Sequence, residues 1–221
     1  MKNSEELIGL ILHDISKPIS MLRSLIEISK RPDLDEKKKE EIMKQIEEFV
    51  EMANSEIRSF RTIYELSFRS FRSHIVRNVP DVLFSHILKQ ISNGVRRNDA
   101  IINFQNTLAK DVFILVDSEQ FITAITNVLQ NSMQYTKEKP TISISISQSD
   151  NTLNIQIDDF GFGFDESDIK HIFESGWSKG YGRGFGLWVT KNLLQQNNLD
   201  IQLISKRNPT SFLISGSIIT K

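Results

Sequence analysis

Three short segments in the second half of the chain carry residue types suited to a phosphorylated ligand. Asn127-Val-Leu-Gln-Asn131 places two carboxamides at i and i+4, on one face of a helix. Asp159-Phe-Gly161-Phe-Gly163 follows an alternating apolar stretch and reads as a carboxylate opening a loop. Gly180-Tyr-Gly182-Arg-Gly184-Phe-Gly186-Leu187 runs straight into a helical pattern. Glycines there let the backbone come close to a ligand. The helix start offers free N–H groups and a positive dipole end to an anion such as phosphate. Taken singly, a glycine-rich loop is more often just a flexible turn, and an Asn pair more often just surface polarity.

Periodicity indicates which elements must position these groups. From Ser4 to Lys30 the apolar residues Ile8, Leu12, Ile15, Ile19, Leu22 and Ile26 follow a heptad-like seam on one helix. Ser4, Glu5 and Glu6 suit its start, and Pro18 should kink it. Arg31-Pro32-Asp33-Leu34-Asp35 reads as a turn. A second helix then presents Ile42, Ile46, Phe49, Ala53, Ile57, Phe60 and Tyr64 on a comparable stripe. Two such helices form an antiparallel hairpin whose seam needs a partner, most simply a second copy in a dimeric four-helix bundle. Any coiled-coil dimerisation module would share this pattern.

From about residue 73 the pattern becomes mixed. Ile75-Val76 is a short strand candidate, and Asp81 to Gly94 reads as a helix stopped by glycine. Strands are expected at Ala100–Asn106 and Val112–Val116, then a helix from Ser118 to about Tyr135. Thr141 to Ser147 alternates strictly, as a strand buried on one face should, and Leu153, Ile155 and Ile157 repeat the alternation after a Ser149-Asp150-Asn151 turn. Helices from about Glu166 and Gly184 and strands near 200–205 and 211–219 complete an α+β layer with an antiparallel or mixed sheet.

Composition narrows the chemistry. With 27 Lys+Arg against 28 Asp+Glu and a formal charge of −1, the 221-residue chain lacks the basic excess of a general nucleic-acid binder. It has no cysteine, which excludes disulfides, thiolate nucleophiles and Cys-ligated metals. No run of about 18 apolar residues occurs, so no membrane span is expected in this chain. Its character is cytoplasmic, either free or as the soluble part of a membrane-bound sensor.

In their order, the three segments resemble the N, G1 and G2 boxes of the ATP-binding domain of sensor histidine kinases, within the wider family that includes gyrase B, Hsp90 and MutL. Ile172-Phe173-Glu174-Ser-Gly176-Trp-Ser178-Lys179 resembles the F box and nucleotide lid. His13-Asp14-Ile-Ser-Lys17-Pro18 resembles the H box of the dimerisation and phosphotransfer domain. The resemblance implies an α+β protein of two domains. Residues 1–72 would form the helical hairpin of the dimeric bundle, and residues 73–221 an α/β-sandwich, Bergerat-type ATP-binding domain.

The function it implies is an ATP-dependent protein-histidine kinase that phosphorylates His13 and passes the group to an Asp of a response regulator receiver domain. Asp14 would orient His13 and accept its proton. Asn131 would ligate Mg²⁺, with Asn127 close to the phosphates. Asp159 would accept the adenine amino hydrogen, Tyr135 would pack on the purine, and Gly161 and Gly163 would let the backbone approach. Ser178, Lys179, Gly182, Arg183, Gly184, Gly186 and Leu187 would surround the phosphates, and Thr210 would lie near adenine. His74, His86 and His171 have no such company and read as structural or surface groups.

Two positions depart from the family. Gln134 stands where Lys or Arg is common, which removes one expected phosphate contact. Lys17 stands where Thr or Asn often positions water for dephosphorylating the partner, so weak phosphatase activity is expected. A competing reading is a histidine phosphotransferase or scaffold with a non-catalytic ATP-like domain, which the glycine boxes and Asn131 disfavour. A gyrase-like ATPase is disfavoured because Asn127, an amide, cannot serve as the base that activates water.

Overall fold

The structure is a computed structural model that describes residues 19–47, 49–50, 53, 57, 74–98, 100–136, 139–178 and 184–220. The chain divides into two compact units, Met1–Phe71 and Arg72–Lys221.

In the first unit, helix α1 is described over residues 19–29 and helix α2 over 36–47. The turn between them is held by Arg31 Nη2 to Asp33 Oδ2 at 2.9 Å, and Asp35 Oδ1 caps α2 by accepting from Lys38 N–H at 2.7 Å. A groove between the helices is lined by Ser20, Met21, Ser24, Leu25, Gln45 and Phe49. The seam differs from the expected one. Leu22 and Leu25 are half-buried on α1 and Ile42, Ile46 and Phe49 on the second stripe, whereas Ile19 and Ile26 are exposed. At 3.6 residues per turn a two-helix contact covers only a narrow stripe, so Leu25 enters it and Ile26 leaves. The H box residues His13, Asp14, Lys17 and Pro18 lie outside the described residues.

The second unit contains β1 (Val76–Asn78), α3 (Pro80–Asn98), β2 (Ile101–Asn106), β3 (Val112–Val116), α4 (Ser118–Gln134), β4 (Thr141–Ser149), β5 (Thr152–Asp159), α5 (Gly186–Gln196), β6 (Leu199–Lys206), β7 (Thr210–Ser217) and β8 (Ile219–Thr220). The main sheet has the order β2-β4-β5-β7-β6. Only β2 and β4 run parallel, so the sheet is mixed. β1, β3 and β8 form a small antiparallel sheet.

Alternation in the sequence becomes one buried face. Ile142, Ile144 and Ile146 on β4 and Leu153, Ile155 and Ile157 on β5 are fully enclosed, and the residues between them are half-exposed. The helices supply the other half of the core through Leu83, Phe84, Ile87 and Ile91 on α3, Phe121, Ile125, Val128 and Leu129 on α4, and Val189, Leu193 and Leu194 on α5.

Two expected elements differ. α3 continues through Gly94 to Asn98, since an interior glycine costs a helix only about 1 kcal/mol. No helix forms from Glu166. Instead, successive turns join Asp168 N–H to Asp165 O, His171 N–H to Asp168 O and Glu174 N–H to His171 O. Asp165 N–H donates to the Asp168 carboxylate and Asp165 itself pairs with Arg207 at 2.9 Å, which holds this segment's start to the β6–β7 turn.

A buried amide ties the helical layer together. Asn197, just past α5, donates to Gln120 Oε1 at 2.8 Å and to Leu193 O at 2.7 Å, and accepts from Asp117 N–H at 2.6 Å. Asp117 in turn caps α4 through Glu119 and Gln120 N–H. Asn197→Ala strands these partners without water, so it should lower unfolding free energy by about 2–3 kcal/mol in urea titrations. A loss within about 0.5 kcal/mol, the range of ordinary surface substitutions, would contradict this role.

Candidate nucleotide-binding site

β5 is the central strand of the main sheet and Asp159 is its last residue. The residue is only 7% exposed. Ser132 Oγ, on α4, donates to Asp159 Oδ2 at 3.0 Å, and Gly161 N–H donates to Oδ1 at 2.9 Å. Thr210 pairs with Asp159 across β5 and β7, and its hydroxyl bears on the same carboxylate. Burial is the largest influence on Asp159 and raises its pKa above the ordinary carboxylate value. Gly161, Ser132 and Thr210 pull it down, and the charge of Asp158 adds a smaller upward push.

The loop after Asp159 lies against the end of α4. Phe162 N–H donates to Tyr135 O at 2.9 Å, and a Cβ on Gly161 would run into that same carbonyl. Only glycine fits there. Gly163 follows, and Phe164 N–H is held by Lys206 O at 2.9 Å. Tyr135 is half-buried and closes α4, its own N–H donating to Asn131 O at 3.1 Å.

Asn127 and Asn131 are half-buried on α4. A Cβ on Gly186 would sit 3.3 Å from Asn131 Nδ2 and 3.6 Å from its Oδ1, so the carboxamide lies against the first residue of α5. Among the described residues no side chain caps that helix start, and its first turn has no acidic residue. The first residue of α5 therefore adjoins the Asn131 amide, and a helix start carries the N–H groups and positive dipole end suited to an anion. Leu187 is buried and can offer a ligand only its backbone. Gln134 is exposed.

The segment between the two glycine boxes is pinned at its base. Ile172 is buried, Phe173 meets Phe212 at 6.4 Å, and Phe164 meets both Trp177 and Phe212 at 6.1 Å. Gly176 N–H donates to Gly184 O at 3.3 Å. Gly184 has φ of 70°, and a Cβ on it would overlap the Trp177 backbone. Ser178 is half-buried beside this clasp, while Lys179, Gly182 and Arg183 lie outside the described residues. His74, His86 and His171 are exposed, and His171 Nδ1 pairs with Glu174 at 2.8 Å.

The structure thus brings Asp159, Gly161, Tyr135 and Thr210 together, and Asn131 with Gly186. Ser132 was not among the sequence candidates. Its only signal was its place beside Asn131.

Residues 116–217 match the family model described as histidine kinase-, DNA gyrase B-, and HSP90-like ATPase. Over 91% of this chain, the Bacillus subtilis sensor histidine kinase SpaK is 26% identical, and over the whole chain the Bacillus subtilis sensor histidine kinase YclK is 23% identical. The chain spans about half the length of each, 45% and 48%. The fold is similar to that of histidine kinase ThkA in its complex with the response regulator TrrA, with a TM-score of 0.70 and 16% identity over 96% of this chain and 61% of that one.

Two substitutions probe this site. Asp159→Asn removes a carboxylate whose charge is opposed by burial. It should raise the melting temperature of the nucleotide-free protein at pH 7, by about 2–4 °C per kcal/mol relieved, while weakening ATP binding. The sign follows from linkage. Because the folded-state pKa is raised, the native protein takes up a proton before the unfolded chain does as pH falls, which stabilises the wild type and narrows the gap. A gap that widens on acidification would exclude this account. Gly184→Ala must open the clasp at Trp177 at a cost of about 1–3 kcal/mol, so calorimetry should show ATP affinity reduced about fivefold or more.

Proposed function

We propose that this chain is the kinase core of a two-component system, which uses ATP to phosphorylate His13 and passes the group to an aspartate of a response regulator receiver domain. The observation that carries this reading is the buried Asp159 carboxylate with the buried Thr210 hydroxyl beside it. An acceptor next to a donor is the complement of the adenine edge, whose amino group donates and whose N1 accepts.

The residues at the other part of the site suit a polyphosphate with its metal. Asn131 offers a carboxamide oxygen, the ligand type magnesium prefers, and the start of α5 offers N–H groups. Bound Mg²⁺ would offset phosphate charge. Asn127 cannot take a proton from water, so it leaves the γ-phosphoryl group to a better-placed nucleophile. The neutral His13 imidazole would form the P–N bond as the bond to the ADP oxygen breaks, with Asp14 accepting the imidazole proton. Ser178, Lys179, Gly182 and Arg183 would contact the phosphates, the cations through charge-assisted bonds. Tyr135 would pack against the purine.

The first unit would act as an antiparallel hairpin in a homodimeric four-helix bundle. Support comes from its exposed apolar residues, Ile19 and Ile26 on α1 and Met43, Val50 and Ile57 beyond the turn. Both sets recur at the seven-residue spacing that places them on one stripe of a helix awaiting a partner. Residues 1–72 and 73–221 would be the two domains. No helix among the described residues is long and apolar enough to cross a membrane.

Incubation with γ-labelled ATP and magnesium tests the kinase reading. An acid-labile, base-stable label on the protein, lost in His13→Gln, is expected. Label retained in that variant would overturn the His13 assignment, and an unlabelled protein that accepts phosphoryl from another protein would indicate a relay. Lys17→Thr should raise dephosphorylation of the phosphorylated regulator by about tenfold or more, because a hydroxyl can position water and an ammonium cannot. Equal, robust rates in both proteins would exclude this role for Lys17.

A further inference from the structure

Ser132 is buried, 5% exposed, on the helix face turned toward the sheet. Alanine would fill this place on a helix with no loss of propensity and no buried hydroxyl to satisfy. The oxygen therefore calls for a reason other than packing. Its surroundings supply one: the hydroxyl lies 3.0 Å from Asp159 Oδ2 and 3.1 Å from the carbonyl of Val128, one turn back.

We infer that Ser132 is a positioning residue for base recognition, holding the Asp159 carboxylate in the plane that accepts the amino hydrogen of a 6-aminopurine. The inference rests on the adenine reading of the Asp159 pocket.

A serine has a single hydroxyl proton and two candidate acceptors here. Donation to an ionised carboxylate is roughly twice as strong as donation to a neutral carbonyl, so the proton goes to Asp159 while that group is charged. When Asp159 takes up a proton the Val128 carbonyl remains as a partner, and the hydroxyl is never stranded.

The geometry explains why a second donor is needed. Rotation of an aspartate carboxylate about its terminal bond is broad and only loosely restricted. Gly161 N–H fixes Oδ1 from the loop. One anchored oxygen still leaves the other free to swing. Ser132 anchors Oδ2 from α4, a rigid buried element, so the plane is fixed from two sides. The open lone pairs then point in one direction, where an amino donor is favoured and a 6-oxo acceptor is repelled. The groups facing Asp159 from α4, the loop and β7 are Ser132, Gly161 and Thr210, all uncharged. Asp158, the preceding residue on β5, is the one titratable group with an effect on it.

The test pairs a protein change with a ligand change. Affinities of the full chain for ATP and for purine riboside triphosphate, which lacks the 6-amino group, are measured with magnesium present. Wild type should prefer ATP. Ser132→Ala should weaken ATP about tenfold, the usual loss for a hydrogen bond to a charged group, and leave purine riboside triphosphate within about twofold. Ser132→Cys, which keeps the volume but has only a weak donor, should behave like Ser132→Ala.

Binding of the analogue itself reports a folded pocket. If Ser132→Ala keeps the wild-type preference, the inference is overturned. If it weakens both nucleotides equally, the hydroxyl supports packing and the inference is again overturned. A wild type without any preference would instead remove Asp159 as the adenine acceptor, and the inference with it.

Discussion

A carboxylate taken out of water must be given donors or become neutral, and the second unit is arranged around meeting that demand at Asp159. The donors come from α4, from the loop after β5 and from β7, so three separate elements have to arrive at one point. Strand register decides which aspartate they meet. Asp158 and Asp159 are neighbours, but a strand sends them to opposite faces. Asp158 is half-exposed and held by Gln156 Nε2 at 3.0 and 3.1 Å, while Asp159 points into the helical layer. A slip of one residue would exchange them and at the same time expose Leu153, Ile155 and Ile157. The hydrophobic pattern of β5 thus protects the register that the buried charge requires.

The same logic links the site to the helices. Asn131 can face Gly186 only if α4 and α5 keep their alignment, and Asn197 sets it from the far end by bonding both to Gln120 and to the Asp117 backbone. Thr190 adds a buried bond to Ala124 O at 3.3 Å midway along the pair. These polar ties lie within an apolar layer, where hydrophobic burial alone would not fix how one helix slides along its neighbour. Hydrogen bonds are directional and supply that constraint.

Much of this was legible in the sequence, for reasons that differ from element to element. β4 and β5 were readable because alternation with a period of two is a direct imprint of one buried face. The placement of Asn131 on α4 and of Gly186 at the start of α5 was readable because helical spacing and a glycine run into an apolar pattern are local signals. Gly94 has the form of a helix stop in the sequence, but a glycine costs a helix too little to end α3 there. The turns after Glu166 were read as a helix because their anchors, Arg207 and Phe212, lie far along the chain and leave no periodic trace. Ser132 was passed over for the same reason. Its partner is Asp159, 27 residues away, and nothing in the spacing of α4 announces a contact made across the core.

The near-zero net charge also acquires a structural meaning. The polar groups described against Asp159 and Asn131 are amides, hydroxyls and backbone N–H, with Asp159 itself as the buried charged side chain. A negative charge in the same pocket as a polyphosphate would be repulsive if the two ends of the ligand could exchange places. Here they cannot do so at equal cost. Ser132 and Asn131 are adjacent on α4 and therefore point about 100° apart, one toward the carboxylate and one toward the start of α5. The carboxylate end favours a hydrogen donor, and the helix end, with its N–H groups and positive dipole, favours an anion. On the proposed reading, two neighbouring residues of one helix would sort the base from the phosphates, and a polyphosphate entering in reverse would meet repulsion at the carboxylate.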